Sequence, residues 1–244
     1  MIPQSAIKAY LKRPLDDHSW IKTKSNNKLR FLLRKFEALN PQLRQHQRAC
    51  FLLGTAYPKF AFWLDMGTGK TLITLELLRH WWQLGMVRRA LVFITSDVAF
   101  PTWEKQIKRF GIDLPYRLLE GSSVQKWQQL EQFDEGILFI NYAGAVALTS
   151  VPVLKKNKKT EWVLDPTAVR VFGNAIDAVV LDESTRAAGY TSLTYKLINA
   201  LKAPVRYALA GRPFGRDPTM LWAQHYLIDR GATLTKRRVL VFIC

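Results

Sequence analysis

Phe60-Ala61-Phe62-Trp63-Leu64-Asp65-Met66-Gly67-Thr68-Gly69-Lys70-Thr71 is the stretch on which the fold of this chain turns. Phe60–Leu64 is a short apolar run of the kind that forms a buried strand. Leu72, Ile73, Leu75, Leu77 and Leu78 then recur with helical spacing. Between the two, Gly67 and Gly69 let the backbone wind so that its N–H groups point at phosphate oxygens. Lys70 can reach the outer phosphates of a nucleotide, and the Thr71 hydroxyl can hold Mg²⁺. The plainer reading is a glycine turn with a surface lysine, and the correctly placed strand and helix argue against it. The full pattern has a further glycine five residues before Gly69. Leu64 stands there, so this is a shortened form of the loop.

Length and charge bound the rest. The chain has 244 residues, 48% hydrophobic and 23% charged, a globular balance with enough length for a substantial core. A formal charge of +17 points to a polyanionic partner, and nucleic acid is the usual one. Acidic membrane is the rival, but no apolar stretch reaches spanning length and no three-part signal peptide opens the chain, so no membrane partner is expected. Cys50 and Cys244 define neither a disulfide framework nor a zinc site, and the four histidines lack ligand spacing. The cytoplasm is the expected location.

Downstream, apolar runs alternate with helical patterns. Strands are predicted at 90–94, 116–119, 137–140, 178–181 and 205–209. Helices are predicted at 100–110, 124–132, 192–201 and 218–228, with one more at 29–39. Such alternation predicts an α/β fold in three layers, a mostly parallel central sheet with helices on both faces. The stretch between 140 and 178 reads as a long irregular piece with a basic surface loop, Lys155-Lys156-Asn157-Lys158-Lys159.

Asp182-Glu183 closes the apolar run Ala178–Leu181, so both carboxylates emerge at the C-terminal end of a strand. In an open α/β sheet that edge is where ligands sit, and the glycine loop leaves from it too. Asp182 can position Mg²⁺ while Glu183 orients and deprotonates an attacking water. An acidic pair after a strand is by itself more often a turn or a helix cap; the loop upstream is what favours the catalytic reading.

At this point the chain resembles a known family. Leu43-Arg44-x-x-Gln47, then Asp65–Thr71, then Asp182-Glu183-Ser184-Thr185 are similar to the N-terminal RecA-like lobe of superfamily 2 helicases, within them the SNF2-like branch of DNA-dependent ATPases, including phage and bacterial members. Asp97-Val98 with Trp103, Phe139-Ile140-Asn141-Tyr142, and Leu209-Ala210-Gly211-Arg212-Pro213 with Leu221-Trp222 resemble further segments of that lobe. The resemblance implies residues 1–40 as a basic extension, 41–231 as the ATP-binding lobe and 232–244 as an atypical tail. It implies ATP and Mg²⁺ as ligands, with Gln47 reading the adenine and Gly67, Thr68 and Gly69 lining the phosphates. Lys70 would contact the β- and γ-phosphates, Thr71 and Asp182 would share Mg²⁺, and Glu183 would be the base. Trp103 is carried over as a packing residue. Duplex DNA is the implied partner, gripped by its backbone. Lys105, Lys108, Arg109 and the 155–159 run are the nearest basic groups, although a lysine run is as readily a solvated loop.

Departures from the family accompany the likeness. Ala210 and Arg212 occupy positions where two threonines link the nucleotide to the DNA side, and Thr95-Ser96 replaces a proline-bearing turn. A motor of this kind closes ATP between two lobes, the second of which supplies an arginine finger. Agreement fades past Gly231, so the expectation is a truncated or frameshifted gene product, or one half of a split motor whose second lobe is carried by a separate chain. Arg237 and Arg238 have no assignable role. The competing readings are a non-catalytic nucleic-acid-binding remnant and an unrelated P-loop kinase or transport ATPase.

Overall fold

The computed structural model describes residues 43–155, 159–174, 176–213 and 218–232. The predicted helix at 29–39, the centre of the lysine run, Asp217 and the tail with Arg237 and Arg238 lie outside them. The chain divides into two units, Met1–Pro58 and Lys59–Cys244. The described part of the first holds α1 (Gln45–Ala56). Gln47, in the first turn, reaches back so that its Oε1 accepts from the Arg44 N–H at 2.9 Å, satisfying a donor the helix cannot.

The second unit is built on a parallel sheet. In chain order its elements are β1 (Lys59–Trp63), α2 (Lys70–Gln83), β2 (Arg89–Ile94), α3 (Phe100–Phe110), β3 (Tyr116–Leu118), α4 (Ser123–Glu131) and β4 (Gly136–Asn141). Then come α5 (Tyr142–Thr149), β5 (Ser150–Leu154), β6 (Thr160–Leu164), α6 (Pro166–Gly173), β7 (Ala178–Leu181), α7 (Leu193–Ala200), β8 (Val205–Ala210) and α8 (Pro218–Asp229). The six-stranded sheet runs β1-β8-β7-β2-β4-β3, every neighbouring pair parallel. The α/β architecture expected from the alternation of runs is therefore the one observed. Val92 pairs with Phe139 on one side and Val180 on the other, and all three are fully buried. Strands covered on both faces must be apolar throughout, which is why these runs do not alternate.

Local chemistry sets the helix ends. Pro101 occupies the first turn of α3, Trp103 and Ile107 turn inward, and Gly111 ends the helix at φ 58°. Ser122 and Gln125 bond reciprocally across the start of α4. In β8, buried Arg206 donates to the carbonyls of Leu201 (2.6 Å) and Ile198 (2.8 Å), so it caps the end of α7 from the sheet. Burial lowers its pKa to about 10. Trp81 of α2 donates to the hydroxyl of Tyr207 at 2.7 Å and pins that helix to the same strand.

The stretch between 140 and 178 corrects the sequence reading: its described residues form helices and strands rather than an irregular piece. Asn141 caps α5 by accepting from the Gly144 N–H at 2.6 Å. β5 and β6 form an antiparallel hairpin in which Val151 faces Val163 and Pro152 faces Trp162. Asp165 then caps α6, with Pro166 in its first turn. These elements are five to eight residues long. That is too short for periodicity to register, and Pro152 interrupts the strand pattern at a position only an edge strand tolerates.

Candidate functional site

β1 delivers the chain to the glycine loop, and the loop's geometry follows from its two glycines. Gly67 (φ 77°) and Gly69 (φ 86°) sit in the left-handed region that side chains disfavour. Thr68 folds inward, its hydroxyl donating to the Asp65 carbonyl at 2.7 Å. Lys70, first residue of α2, curls back over the loop and donates through Nζ to the carbonyls of Leu64 (2.8 Å) and Asp65 (3.1 Å). Its charge is thereby held against the loop, with the Thr71 side chain next in the first turn of α2. Leu64, the departure from the full pattern, donates its N–H to Ala210 at 3.2 Å and extends the β1–β8 pairing. Gly211 follows directly. A Cβ there would stand 3.4 Å from Met66 and 4.0 Å from Lys70 Nζ, so the loop and the end of β8 are closely apposed.

One strand further in, β7 ends at the acidic pair. The Asp182 N–H donates to the Phe93 carbonyl at 2.9 Å. Its own carbonyl accepts from the buried Tyr142 hydroxyl at 2.7 Å. Trp103 Nε1 donates to its Oδ2 at 3.1 Å. Burial pushes the Asp182 carboxyl above the usual carboxylate range. The Trp103 hydrogen bond opposes that shift, the charge of Glu183 adds to it, and the charge of Lys70 opposes it. Glu183 has φ 48°, a left-handed conformation that costs a non-glycine residue about 1–2 kcal/mol. Such strain persists where the surroundings impose it, and it gathers at functional sites.

Gly67, Thr68, Gly69, Lys70, Thr71, Asp182 and Glu183 therefore share the C-terminal edge of one sheet. Gln47 belongs to the N-terminal unit, where its described bond is the local one to Arg44. Among the described residues, no group of three or more His, Cys, Asp or Glu gathers around one point. Mg²⁺ does not require one: it takes one or two protein oxygens and completes its shell with phosphate and water. A threonine hydroxyl and a carboxylate at one sheet edge, beside a phosphate-type loop, are a donor set that fits it.

Three residues make contacts that the sequence reading did not supply. Trp103 packs edge-on against Phe139, with ring centroids 5.5 Å apart, as a packing residue should. It also hydrogen-bonds the acidic pair, which packing alone did not imply. Tyr142 had entered by resemblance, but only the structure gives its hydroxyl a partner. Gln224 of α8 is fully buried. It accepts from the Ser184 hydroxyl (2.6 Å) and donates to the carbonyls of Pro213 (2.9 Å) and Met220 (3.3 Å). This bridge joins the acidic turn to the segment after β8, where Ala210 and Arg212 offer no hydroxyl. A lone polar residue in the apolar run Leu221-Trp222-Ala223-Gln224 was the available signal.

Among the basic candidates, Lys105, Lys108 and Arg109 are exposed on α3, Lys108 paired with Glu104 at 2.9 Å. Lys155 leaves the end of β5 and pairs with Glu161 of β6. Asn141 Nδ2 donates to Asp97 Oδ1 at 2.7 Å, tying together the turns after β4 and β2.

Comparison with known proteins completes the picture. A family model described as type III restriction enzyme, res subunit, matches residues 29–214. No curated protein sequence matches the chain. Among solved structures, the Sulfolobus solfataricus SWI2/SNF2 ATPase core in complex with dsDNA aligns with TM-score 0.56 and 19% identity, over 78% of this chain and 36% of that one. The UvsW helicase from bacteriophage T4 aligns with TM-score 0.54 and 12% identity, over 79% of this chain and 64% of that one. At these identities the likeness is one of fold, and this chain spans only part of the length of either. The chain belongs to the family described as type III restriction enzyme, res subunit, within helicase superfamily 2, and its sheet is the RecA-like lobe of that superfamily.

Proposed function

We propose that this chain is the Mg-ATP-binding lobe of an SNF2-like translocase, which in its two-lobed form couples ATP hydrolysis to movement on double-stranded DNA. The observation that carries this reading is that the glycine loop, with Lys70 folded over it, and the acidic pair after β7 lie at the C-terminal edge of one parallel sheet. The loop N–H groups of Gly67, Thr68 and Gly69 bind phosphate oxygens, and Lys70 exchanges its loop carbonyls for the β- and γ-phosphates. Thr71 and Asp182 would hold Mg²⁺, which when bound would neutralise charge on the phosphates. Glu183 takes the proton of a water whose oxygen attacks the γ-phosphorus, and ADP leaves. Gln47 contacts the adenine edge. A second RecA-like lobe, in this polypeptide or a separate one, adds an arginine that stabilises the transferring group. The lobe extends over residues 41–231, flanked by a basic extension and a tail, and works in the cytoplasm of a bacterium or a phage host. No described helix is long and apolar enough to cross a membrane.

The DNA part of the reading is supported by the charge of +17 and by the basic side chains of α3 and the hairpin. The Sulfolobus solfataricus SWI2/SNF2 ATPase core, similar in fold, is in complex with dsDNA. A second reading, a nucleic-acid-binding remnant without appreciable turnover, is favoured by one observation: Ala210 and Arg212 replace the coupling hydroxyls. Titration of ATP with and without Mg²⁺, and turnover with and without duplex DNA, separate the two. Lys70→Ala is expected to weaken Mg-ATP binding by at least about tenfold, the scale of one charge-assisted contact, while duplex binding persists. Equal loss of both ligands would place the nucleotide elsewhere.

A further inference from the structure

We propose that Trp103 is a positioning residue for the metal: its indole N–H holds the Asp182 carboxylate in the orientation from which that group takes up Mg²⁺. The inference rests on the Mg-ATP reading above and adds to it a residue whose sequence reading was packing alone.

Asp182 is clamped along its main chain, its N–H to Phe93 and its carbonyl to Tyr142, so its Cα has a fixed place. That does not orient the carboxylate. The last torsion of an aspartate is broad and nearly two-fold, and the plane of the group is set by whatever hydrogen-bonds to it. Trp103 supplies such a donor from a separate element, α3, at 3.1 Å. The indole is itself immobile. It is 1% exposed and rests edge-on against Phe139, which is fully buried and meets Phe100 at 5.2 Å. Phe139 lies on β4, beside β2 and two strands from the acidic pair. The main chain of Glu183 also hydrogen-bonds the carboxylate, from the turn that carries it; Trp103 adds a reference to the rigid centre of the sheet. The two bonds leave lone pairs free for a metal, because two N–H groups occupy two acceptor sites of about four. A residue serving only to fill space at position 103 would need no donor. A buried indole N–H does need an acceptor, and the one it takes is a carboxylate oxygen of the acidic pair.

Two measurements test the assignment. In the first, ATP affinity is measured with and without Mg²⁺ for the wild-type chain and for Trp103→Phe, which keeps an aromatic ring against Phe139 and removes the N–H. The gain in affinity that Mg²⁺ confers is expected to fall about tenfold in the variant, the lower end of what removing an outer partner of a metal ligand does. Trp103→His, with a smaller ring that keeps an N–H, should recover part of that gain. An undiminished gain in Trp103→Phe overturns the proposal while leaving the nucleotide reading standing. Absence of any Mg²⁺ gain in the wild-type chain overturns both.

The second measurement uses the wild-type chain alone and does not depend on a variant folding. The Nε1–H resonance of Trp103, assigned in a ¹⁵N-labelled sample, is expected to move when Mg²⁺ is added to the ATP-bound protein and to stay in place when ATP is added without metal. A resonance indifferent to Mg²⁺, or one that responds equally to ATP alone, assigns Trp103 to packing and overturns the proposal.

Discussion

Single residues carry much of this molecule's definition, and they do so through hydrogen bonds made in places without water. Arg206, Tyr142, Trp103 and Gln224 are polar or half-polar side chains inside an apolar lobe, each with a partner in the structure. The loop residues Gly67–Thr71 and the pair Asp182-Glu183 were legible from sequence because their spacing is stereotyped. The hydrogen bonds of these four were not, because which buried groups meet is decided by how the elements pack. Gln224 makes the cost measurable. Gln224→Ala strands the Ser184 hydroxyl and the Pro213 carbonyl and opens a small cavity. It is expected to cost about 2–4 kcal/mol, read as a lower urea midpoint. Ser184→Ala leaves Gln224 one partner short and should cost about 1 kcal/mol. Equal and negligible costs would show that the bridge does not contribute to stability.

At the level of elements, the six strands of the main sheet were all visible in advance, within a residue or two at their ends. Long apolar runs buried on both faces announce themselves, because nothing else in a globular chain needs that pattern. The α5–hairpin–α6 segment was read as irregular because its elements are short and its strands are exposed: Val151, Val153, Leu154 and Trp162 all face solvent to a large degree. The hairpin also changes what the lysine run is. Lys155 and Lys159 are held at the ends of two paired strands, bonded to each other through main-chain N–H and carbonyl at 2.9 Å. Replacing both with glutamate is expected to weaken duplex binding several-fold and to reduce its salt slope, since each phosphate contact contributes about 0.9 to that slope. Unchanged binding in a fluorescence-anisotropy titration would return the run to a solvated loop and leave α3 as the basic contact.

For the whole molecule, a charge of +17 should dominate association with any polyanion. Affinity for duplex DNA is expected to fall steeply and linearly, on logarithmic axes, as salt rises from 50 to 200 mM, a loss of about 10³–10⁵ if six to ten phosphates are engaged. Affinity should differ little among sequences, because lysine and arginine on backbone phosphates carry no base information. A shallow salt slope with strong sequence preference would point to base contacts that this reading lacks. By itself the sequence determined the parallel α/β class, the glycine loop and its strand and helix, the acidic pair, and the family likeness. All of these are encoded by neighbours in the chain, through local periodicity or short fixed spacing. Only the tertiary structure decided that the glycine loop lies against the end of β8, that Trp103 and Tyr142 hold Asp182, and that Gln224 bridges where Ala210 and Arg212 offer no hydroxyl. Those are contacts between strands and helices far apart in sequence. Their partners are chosen by the order β1-β8-β7-β2-β4-β3, which no local pattern specifies.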